Sequence, residues 1–243
     1  MKKAVSLWLI TNLLAALAGA GGNPRPGNVS DAAAQLSPLE AALAADPDNL
    51  RLANDYRRAV IAANEYDRSL KFFGKLVQVR PYSSNLYLNY GFAYVDKIPV
   101  SGTLTKLFAG NDALNMFTKS LELKPSWIGY FARGKTYLFW PMFFDRTRPG
   151  VADLEKAMKI QKAESKRSYH VYTYVSLGDG YWRLGNPAKA TEVWKEGLAE
   201  FPDNADLKAR LSRHGADLKA LIEGALDYNK RVDTNLQELW GAA

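Results

Sequence analysis

A regular spacing of aromatic, small and proline residues constrains the fold of this chain more than any other feature, and it is clearest between Tyr174 and Pro202. In this stretch Gly178 and Ala190 are small, as two antiparallel helices require where they approach closely. Trp194 is large enough to fill the space beside them. Pro202 ends the second helix because proline has no backbone N–H to donate. The stretch therefore predicts a hairpin of two helices.

The same spacing occurs three more times upstream, so the hairpin is a repeat. The four copies start at residues 50, 84, 127 and 171, and the successive periods are 34, 43 and 44 residues. The first copy needs no insertion, although Arg57 stands where the spacing calls for glycine. Four copies exceed the about three that a stacked solenoid needs to bury a continuous core.

The last copy keeps the most complete set of spaced residues, which are Tyr174, Leu177, Gly178, Tyr181, Ala190, Trp194 and Pro202. This set resembles the tetratricopeptide repeat (TPR), a motif of about 34 residues with the signature W-x2-L-G-x2-Y, A-x3-F and P. The resemblance covers about residues 37 to 213. It implies an all-α fold, a right-handed α-solenoid of antiparallel helical hairpins. It also implies that the first helices line a concave groove for peptide segments of partner proteins.

Residues 1–20 have the pattern of a secretory signal peptide. Lys2 and Lys3 form a basic start, an apolar run follows, and a small-residue cleavage site ends at Ala20. The apolar run is shorter than the about 20 residues of a comfortable membrane span. We therefore expect an exported bacterial protein that is periplasmic or secreted, with an uncleaved anchor as the alternative.

The remaining boundaries follow from local composition. Residues 21–36 are rich in Gly, Pro and Asn and predict a flexible linker. Ser37, Pro38 and Glu40 combine a helix cap, a first-turn proline and a capping-box acid, so they predict a capping helix at 37–46. The solenoid is expected over 37–228, with repeats at about 50–81, 84–125, 127–162 and 171–202 and a second capping region at 205–228.

The C-terminal tail, residues 229–243, is predicted to contain one short helix. Thr234 and Gln237 have the spacing of a capping box for this helix, which would reach Trp240. The pattern does not decide whether the tail packs back on the solenoid or stays mobile.

Two insertions replace short turns between the paired helices, at 96–111 and 139–150. Turns of this type lie along one edge of a solenoid, so we expect the two insertions to be neighbours. The second carries five large apolar residues, Phe139, Trp140, Met142, Phe143 and Phe144. They either pack on Leu104, Leu107 and Phe108 as a small satellite core or stay partly exposed as a partner-binding patch.

No catalytic, metal or cofactor site is predicted. The chain has no cysteine and only two histidines, His170 and His214, and neither has a second ligand at a useful spacing, so both are interpreted as helix-end residues. The formal net charge is +7, and removal of Lys2 and Lys3 with the signal lowers it to +5. This excess is too small to indicate nucleic-acid binding.

The concave groove is the first candidate site. The residues expected to line it, from the face of each first helix that the repeat spacing leaves unused, are Arg51, Asn54, Arg58, Asn85, Asn89, Phe92, Lys135, Tyr172, Asp179 and Trp182. Some proteins with this repeat hold a peptide C-terminal carboxylate in a clamp of Lys and Asn side chains. Here Leu88, Ile128 and Phe131 stand where that clamp needs polar or basic residues, so we do not predict it.

These observations predict a non-enzymatic interaction scaffold of the bacterial cell envelope. It would bind another envelope protein or peptide segment through the groove or the aromatic insertion, without nucleic acid and without membrane contact once the signal is removed. The alternative is a small-ligand binder or enzyme with a site between the loops at 96–111 and 139–150, near Asp145. The oligomeric state does not follow from the sequence.

Overall fold

A computed structural model describes residues 26–240. The predicted signal peptide and cleavage site lie outside the described residues. The α-helices between residues 26 and 240 are α1 (Pro26–Ala45), α2 (Leu50–Ala63), α3 (Tyr66–Val79), α4 (Ser84–Lys97), α5 (Thr103–Leu123), α6 (Trp127–Leu138), α7 (Thr147–Ala163), α8 (Val171–Arg183), α9 (Pro187–Glu200), α10 (Ala205–Ser212) and α11 (Gly215–Ala225). Short 3-10 turns lie at Ile98–Val100, Met142–Phe144, Ser168–His170 and Gln237–Leu239.

The helices stack in sequence order as an α-solenoid. The first helices α2, α4, α6 and α8 start at Leu50, Ser84, Trp127 and Val171, which are the four starts that the repeat spacing predicts. Three of these helices begin in the same way, with a polar side chain of the preceding residue accepting a backbone N–H, as Ser83 does from Leu86. Local capping therefore fixes where several hairpins begin.

Glycine residues, which have no side chain, let paired helices approach closely. A Cβ atom on Gly178 would lie 2.1 Å from the indole Nε1 of Trp194, and one on Gly134 would lie 2.9 Å from the carbonyl oxygen of Gly150. The first hairpin differs because Arg57 occupies the position of the glycine. Its helix α2 packs more closely on α1 than on its own partner α3.

The N-terminal prediction is wrong in its boundary. Helix α1 begins at Pro26, inside the predicted linker, and Pro38 lies within the helix instead of in its first turn. Leu36 and Leu43 are fully buried in the first core cluster, and this burial offsets the backbone hydrogen bond that the proline removes. Glu40 does not close a capping box but accepts two hydrogen bonds from Arg68 of α3, each at 2.9 Å.

The insertions are also more ordered than predicted. Most of 96–111 is helical, because α4 continues to Lys97 and α5 begins at Thr103. In the second insertion, Asp145 adopts a left-handed conformation (φ 51°) after the 3-10 turn, and α7 starts two residues later. The two insertions are neighbours, since the Trp140 ring contacts Gly110.

The C-terminal region folds back over the solenoid. Helix α11 ends at Ala225, three residues before the predicted end, and the chain from residue 227 to residue 240 runs across the first helices. We call residues 227–240 the C-terminal strap. The predicted capping box does not form, because Thr234 hydrogen-bonds with α2 and α4 instead, and only a 3-10 turn follows at Gln237–Leu239.

Candidate functional site

The groove predicted to bind a partner peptide is occupied by the C-terminal strap. Contacts with the strap come from first helices at both ends of the array, since Asn54 of α2 bonds with Asn235 and Tyr172 of α8 donates to Glu238 at 3.0 Å. Arg231 adds a hydrogen bond to the Tyr66 hydroxyl at 2.9 Å. The strap therefore lies along the groove rather than at its rim.

Arg57 is the centre of a buried polar network that holds the strap. Its side chain is 2% exposed, and Nη1 donates to Asp96 Oδ2 at 2.9 Å and to Thr234 Oγ1 at 3.0 Å. Nη2 donates to the Thr234 carbonyl at 2.8 Å and to Asn54 Oδ1 at 3.2 Å, and Nε donates to Asn89 Oδ1 at 3.0 Å. All five N–H donors of the guanidinium are thus used. Thr234 Oγ1 also donates to Asp96 Oδ1, which gives that carboxylate a second donor.

The groove contacts the backbone of the strap as well as its side chains. Asn54 Oδ1 accepts the Leu236 backbone N–H at 3.0 Å, two residues after the carbonyl that Arg57 binds. The Leu236 side chain is buried in a cluster with Leu88, Phe92, Ala113, Phe117 and Ala132. Backbone contacts with an anchoring apolar side chain are how a groove holds an extended peptide. The strap is therefore bound as a peptide ligand would be.

A cavity of about 240 Å³ remains between the strap and helix α6. Its solenoid wall is mainly aromatic and aliphatic, with Phe92, Val95, Trp127, Ile128, Phe131, Ala132 and Tyr172. Ile98, Pro99 and Phe139 border it at the bases of the two insertions, and strap residues from Tyr228 to Leu239 form the opposite wall. The cavity is thus adjacent to the predicted alternative site but lies in the groove, and Asp145 does not line it.

Lys135 is the cationic residue of the solenoid wall of this cavity. Burial lowers the pKa of Lys135, and the carboxylates of Asp179 and Asp233 act in the opposite direction. Its ammonium nitrogen lies 5.5 Å from the centroid of the Phe131 ring. Among the described residues, the side chain of Lys135 has no hydrogen bond and no ion pair.

Tyr172 is held at the far end of the cavity. Burial and the hydrogen bond to Glu238 raise the pKa of Tyr172 to about 12, so its hydroxyl keeps its proton at neutral pH. The phenol therefore acts here as a hydrogen-bond donor that fixes the end of the strap.

The structure brings together half of the predicted groove residues. Asn54, Asn89, Phe92, Lys135 and Tyr172 contact the strap, the Arg57 network or the cavity. The other five, Arg51, Arg58, Asn85, Asp179 and Trp182, have different surroundings.

Asp179 is buried and bound by Arg210 through two hydrogen bonds of 2.6 and 2.7 Å. Burial raises the pKa of Asp179, and the Arg210 pairing opposes this shift. Trp182 packs against the last core cluster.

Three more predicted groove residues lie near the N-terminal end. Asn85 donates to the Asp48 carbonyl at 2.9 Å in the turn before α4. Arg51 and Arg58 are exposed, and no hydrogen bond or ion pair joins them to another described residue. These residues do not form part of the strap site.

Three residues of the site were missed by sequence reasoning: Arg57, Asp96 and Thr234. Arg57 could have been noticed from the sequence, because it stands where the repeat spacing calls for the glycine that lets two helices approach. The sequence pattern places Asp96 in an insertion and Thr234 at a helix cap. Their sequence separation of 138 residues left no local pattern to join them.

The insertions leave an apolar patch on the outer edge. Phe143 is 82% exposed and Met142 is 57% exposed, while Leu104 and Phe108 on the first turns of α5 are 72% and 68% exposed. The predicted satellite core with Leu104 and Phe108 is therefore not present. We call the exposed residues Leu104, Phe108, Met142, Phe143 and Phe144 the inserted edge.

The two remaining aromatic residues of the second insertion are not part of the exposed surface. Trp140 is 7% exposed, stacks edge-on with Phe144, and has the Arg146 guanidinium 5.1 Å from its ring centroid. Phe139 is partly buried against the C-terminal core. Both therefore support the insertion instead of forming a surface for a partner.

The histidines have the local roles expected of helix-end residues. His170 Nδ1 accepts the Arg167 backbone N–H at 3.3 Å, and burial lowers the pKa of His170. His214 is exposed at the start of α11. Between residues 26 and 240, no group of three or more His, Asp or Glu side chains has the arrangement of a metal site. In the same part of the chain, no helix is both long and apolar enough to cross a membrane.

The stacked hairpins and the concave surface that binds the strap define a TPR-like α-solenoid. Among solved structures, the chain is similar to a thermophilic TPR protein from Thermus thermophilus, with a TM-score of 0.54 and 18% sequence identity. The alignment covers 76% of this chain and 90% of that one. At this identity the likeness shows the fold alone. No protein-family model and no curated protein matches the sequence.

Proposed function

We propose that this protein is a non-enzymatic scaffold of the bacterial cell envelope that binds another protein through the inserted edge. The main observation in support of this proposal is that large apolar side chains on both insertions are exposed, with Phe143 at 82% and Leu104 at 72%. Exposed apolar patches of this kind commonly mark interaction sites. The secretory pattern of residues 1–20 supports the envelope location.

The groove is a weaker candidate for the partner site because the strap already fills it. The strap belongs to the same chain, so its effective concentration at the groove is on the order of millimolar or more. A partner peptide would also have to replace the bonds between Arg57 and Thr234, which are buried. The inserted edge needs no such displacement.

The shape of the inserted edge favours a helical partner segment. Leu104 and Phe108 are four residues apart on α5, so they lie on the same side of the helix and form a short apolar ridge. A ridge of this type packs into the groove between side chains of another helix. We therefore expect the partner to supply an amphipathic helix.

Affinity capture from the envelope fraction tests this proposal. The bait is the chain from Gly21 onward, compared with a variant carrying Leu104→Ser, Phe108→Ser and Phe143→Ser. A matched control carries Val79→Ser and Tyr82→Ser, which alter exposed apolar residues away from the insertions. Circular dichroism establishes that all three baits have the same helical content.

We expect one protein to be retained by the unmodified chain and by the control and to be lost from the edge variant. Equal retention by the edge variant would remove the inserted edge from consideration. Retention that instead appears only after the strap is deleted would assign partner binding to the groove.

A further inference from the structure

The cavity between the strap and α6 has the size of a small-molecule site. A cavity of about 150 Å³ lined by apolar side chains is sufficient to bind benzene. This one has about 240 Å³ and an apolar wall that includes Phe92, Ile128 and Phe131. It can therefore accept the apolar part of a molecule of about ten non-hydrogen atoms.

Lys135 determines which charged group a ligand of this cavity should carry. Lys135 is partly buried. A cation that is withdrawn from water without a partner is unfavourable, and an anion placed beside it lowers that cost. The other lysine at the cavity, Lys230, already donates to the Gly224 carbonyl at 3.0 Å. Among the described lining residues, Lys135 is thus the lysine whose ammonium has no hydrogen-bond acceptor.

The carboxylates near Lys135 are engaged elsewhere. Asp179 accepts hydrogen bonds from Nε and Nη2 of Arg210, and Glu238 accepts a hydrogen bond from the Tyr172 hydroxyl. Asp233 accepts the backbone N–H of Asn235 at 2.8 Å within the exposed part of the strap. None of the three forms an ion pair with Lys135 in the described part of the chain.

We infer that this cavity binds a small apolar carboxylic acid, with the hydrocarbon part against Phe92, Ile128 and Phe131 and the carboxylate on Lys135. The apolar solenoid wall disfavours strongly polar metabolites, although Asp233 and Glu238 of the strap also border the cavity. Among the described lining residues, the unpartnered ammonium of Lys135 favours a ligand with one negative charge. Since strap residues form the opposite wall, a bound acid contacts both the solenoid and the strap. Its binding therefore slows the release of the strap from the groove.

Isothermal titration calorimetry with octanoate tests this inference, because octanoate has ten non-hydrogen atoms. Octanamide, which has the same length and no charge, is the matched ligand. We expect octanoate to bind at least about tenfold more tightly than octanamide, because its carboxylate can form a charge-assisted hydrogen bond with Lys135 in which both groups are charged, and the neutral amide cannot. Hydrogen exchange of the strap should slow when octanoate is bound.

Three variants identify the group responsible. Lys135→Met should bind the two ligands equally, and Lys135→Arg should keep the preference for octanoate. Lys159→Met removes an exposed charge from α7 and should behave as the unmodified chain does. Circular dichroism of each variant separates a lost charge from a lost fold.

The inference fails if the unmodified chain binds octanoate and octanamide equally, or binds neither at millimolar concentration. It also fails if Lys135→Met keeps the preference. These outcomes are independent of the inserted edge, because the edge variant leaves the cavity residues unchanged and should still bind octanoate.

Discussion

Replacement of Arg57 by methionine tests the central structural claim, that one buried arginine fixes the strap in the groove. Methionine keeps the apolar stem and removes all five donors. Within residues 26–240, the carboxylate of Asp96, which is 3% exposed, then retains only the hydroxyl of Thr234 as a donor. Removal of one partner of a buried ion pair costs about 3–5 kcal/mol. We expect a loss of this size in the free energy of unfolding.

Urea unfolding followed by circular dichroism measures this loss, and hydrogen exchange locates it. In a solenoid each repeat contacts its neighbours, so the increase in exchange should concentrate in α2, α4 and the strap and leave α8 and α9 protected. Arg58→Met is the matched control because it removes the adjacent, exposed arginine; it should change stability by less than about 0.5 kcal/mol. Combined with Asp96→Asn, Arg57→Met should cost less than the sum of the two single changes. A loss no larger than that of the control would refute the reasoning.

Three further predictions follow from packing and charge. Gly134→Ala should destabilise the protein by about 1–3 kcal/mol because the new methyl meets backbone at 2.9 Å, while Gly102→Ala has open space and should be neutral in the same thermal melt. Trp140→Ser should cost about 3–5 kcal/mol and Phe143→Ser less than about 0.5, as urea midpoints would show; equal effects would contradict the burial described above. Burial acts to raise the pKa of Glu40, but hydrogen bonds from an arginine and a tyrosine lower it overall. Glu40 therefore stabilises the folded protein at pH values above the pKa that it has in the unfolded chain. This stabilisation is lost as the pH falls through the lower pKa that Glu40 has in the folded protein. Glu40→Gln should therefore be less stable by about 1 kcal/mol or less at pH 7 and equal at strongly acidic pH.

The solenoid could be predicted from the sequence because its determinants are local. Gly178 and Trp194 lie sixteen residues apart and define one hairpin, and Ser83 caps α4 through the next turn of the chain. Such contacts recur from repeat to repeat, so each copy of the pattern strengthens the prediction made from the others. Even the positions where α4 and α8 begin follow from this spacing.

The strap could not be predicted, because its determinants are not local. The segment around Thr234 is polar and has no apolar period, and its one buried anchor, Leu236, has no repeated counterpart. A capping-box pattern with Gln237 was present, but tertiary hydrogen bonds used Thr234 instead. The same limit applies to α1, where Pro38 suggested a helix start and buried leucines on both sides keep the helix continuous.

Arg57 joins the local and the non-local parts of this structure. The later hairpins have glycine at the matching position, and their paired helices pack closely there. The arginine instead accompanies a more open first hairpin, and its guanidinium points into the groove, where it binds the Thr234 carbonyl. This contact holds the strap against the groove, where strap residues form one wall of the cavity beside Lys135. The inserted edge stays exposed on both insertions. One departure from the repeat pattern is thus linked to a filled groove and to the cavity beside the strap.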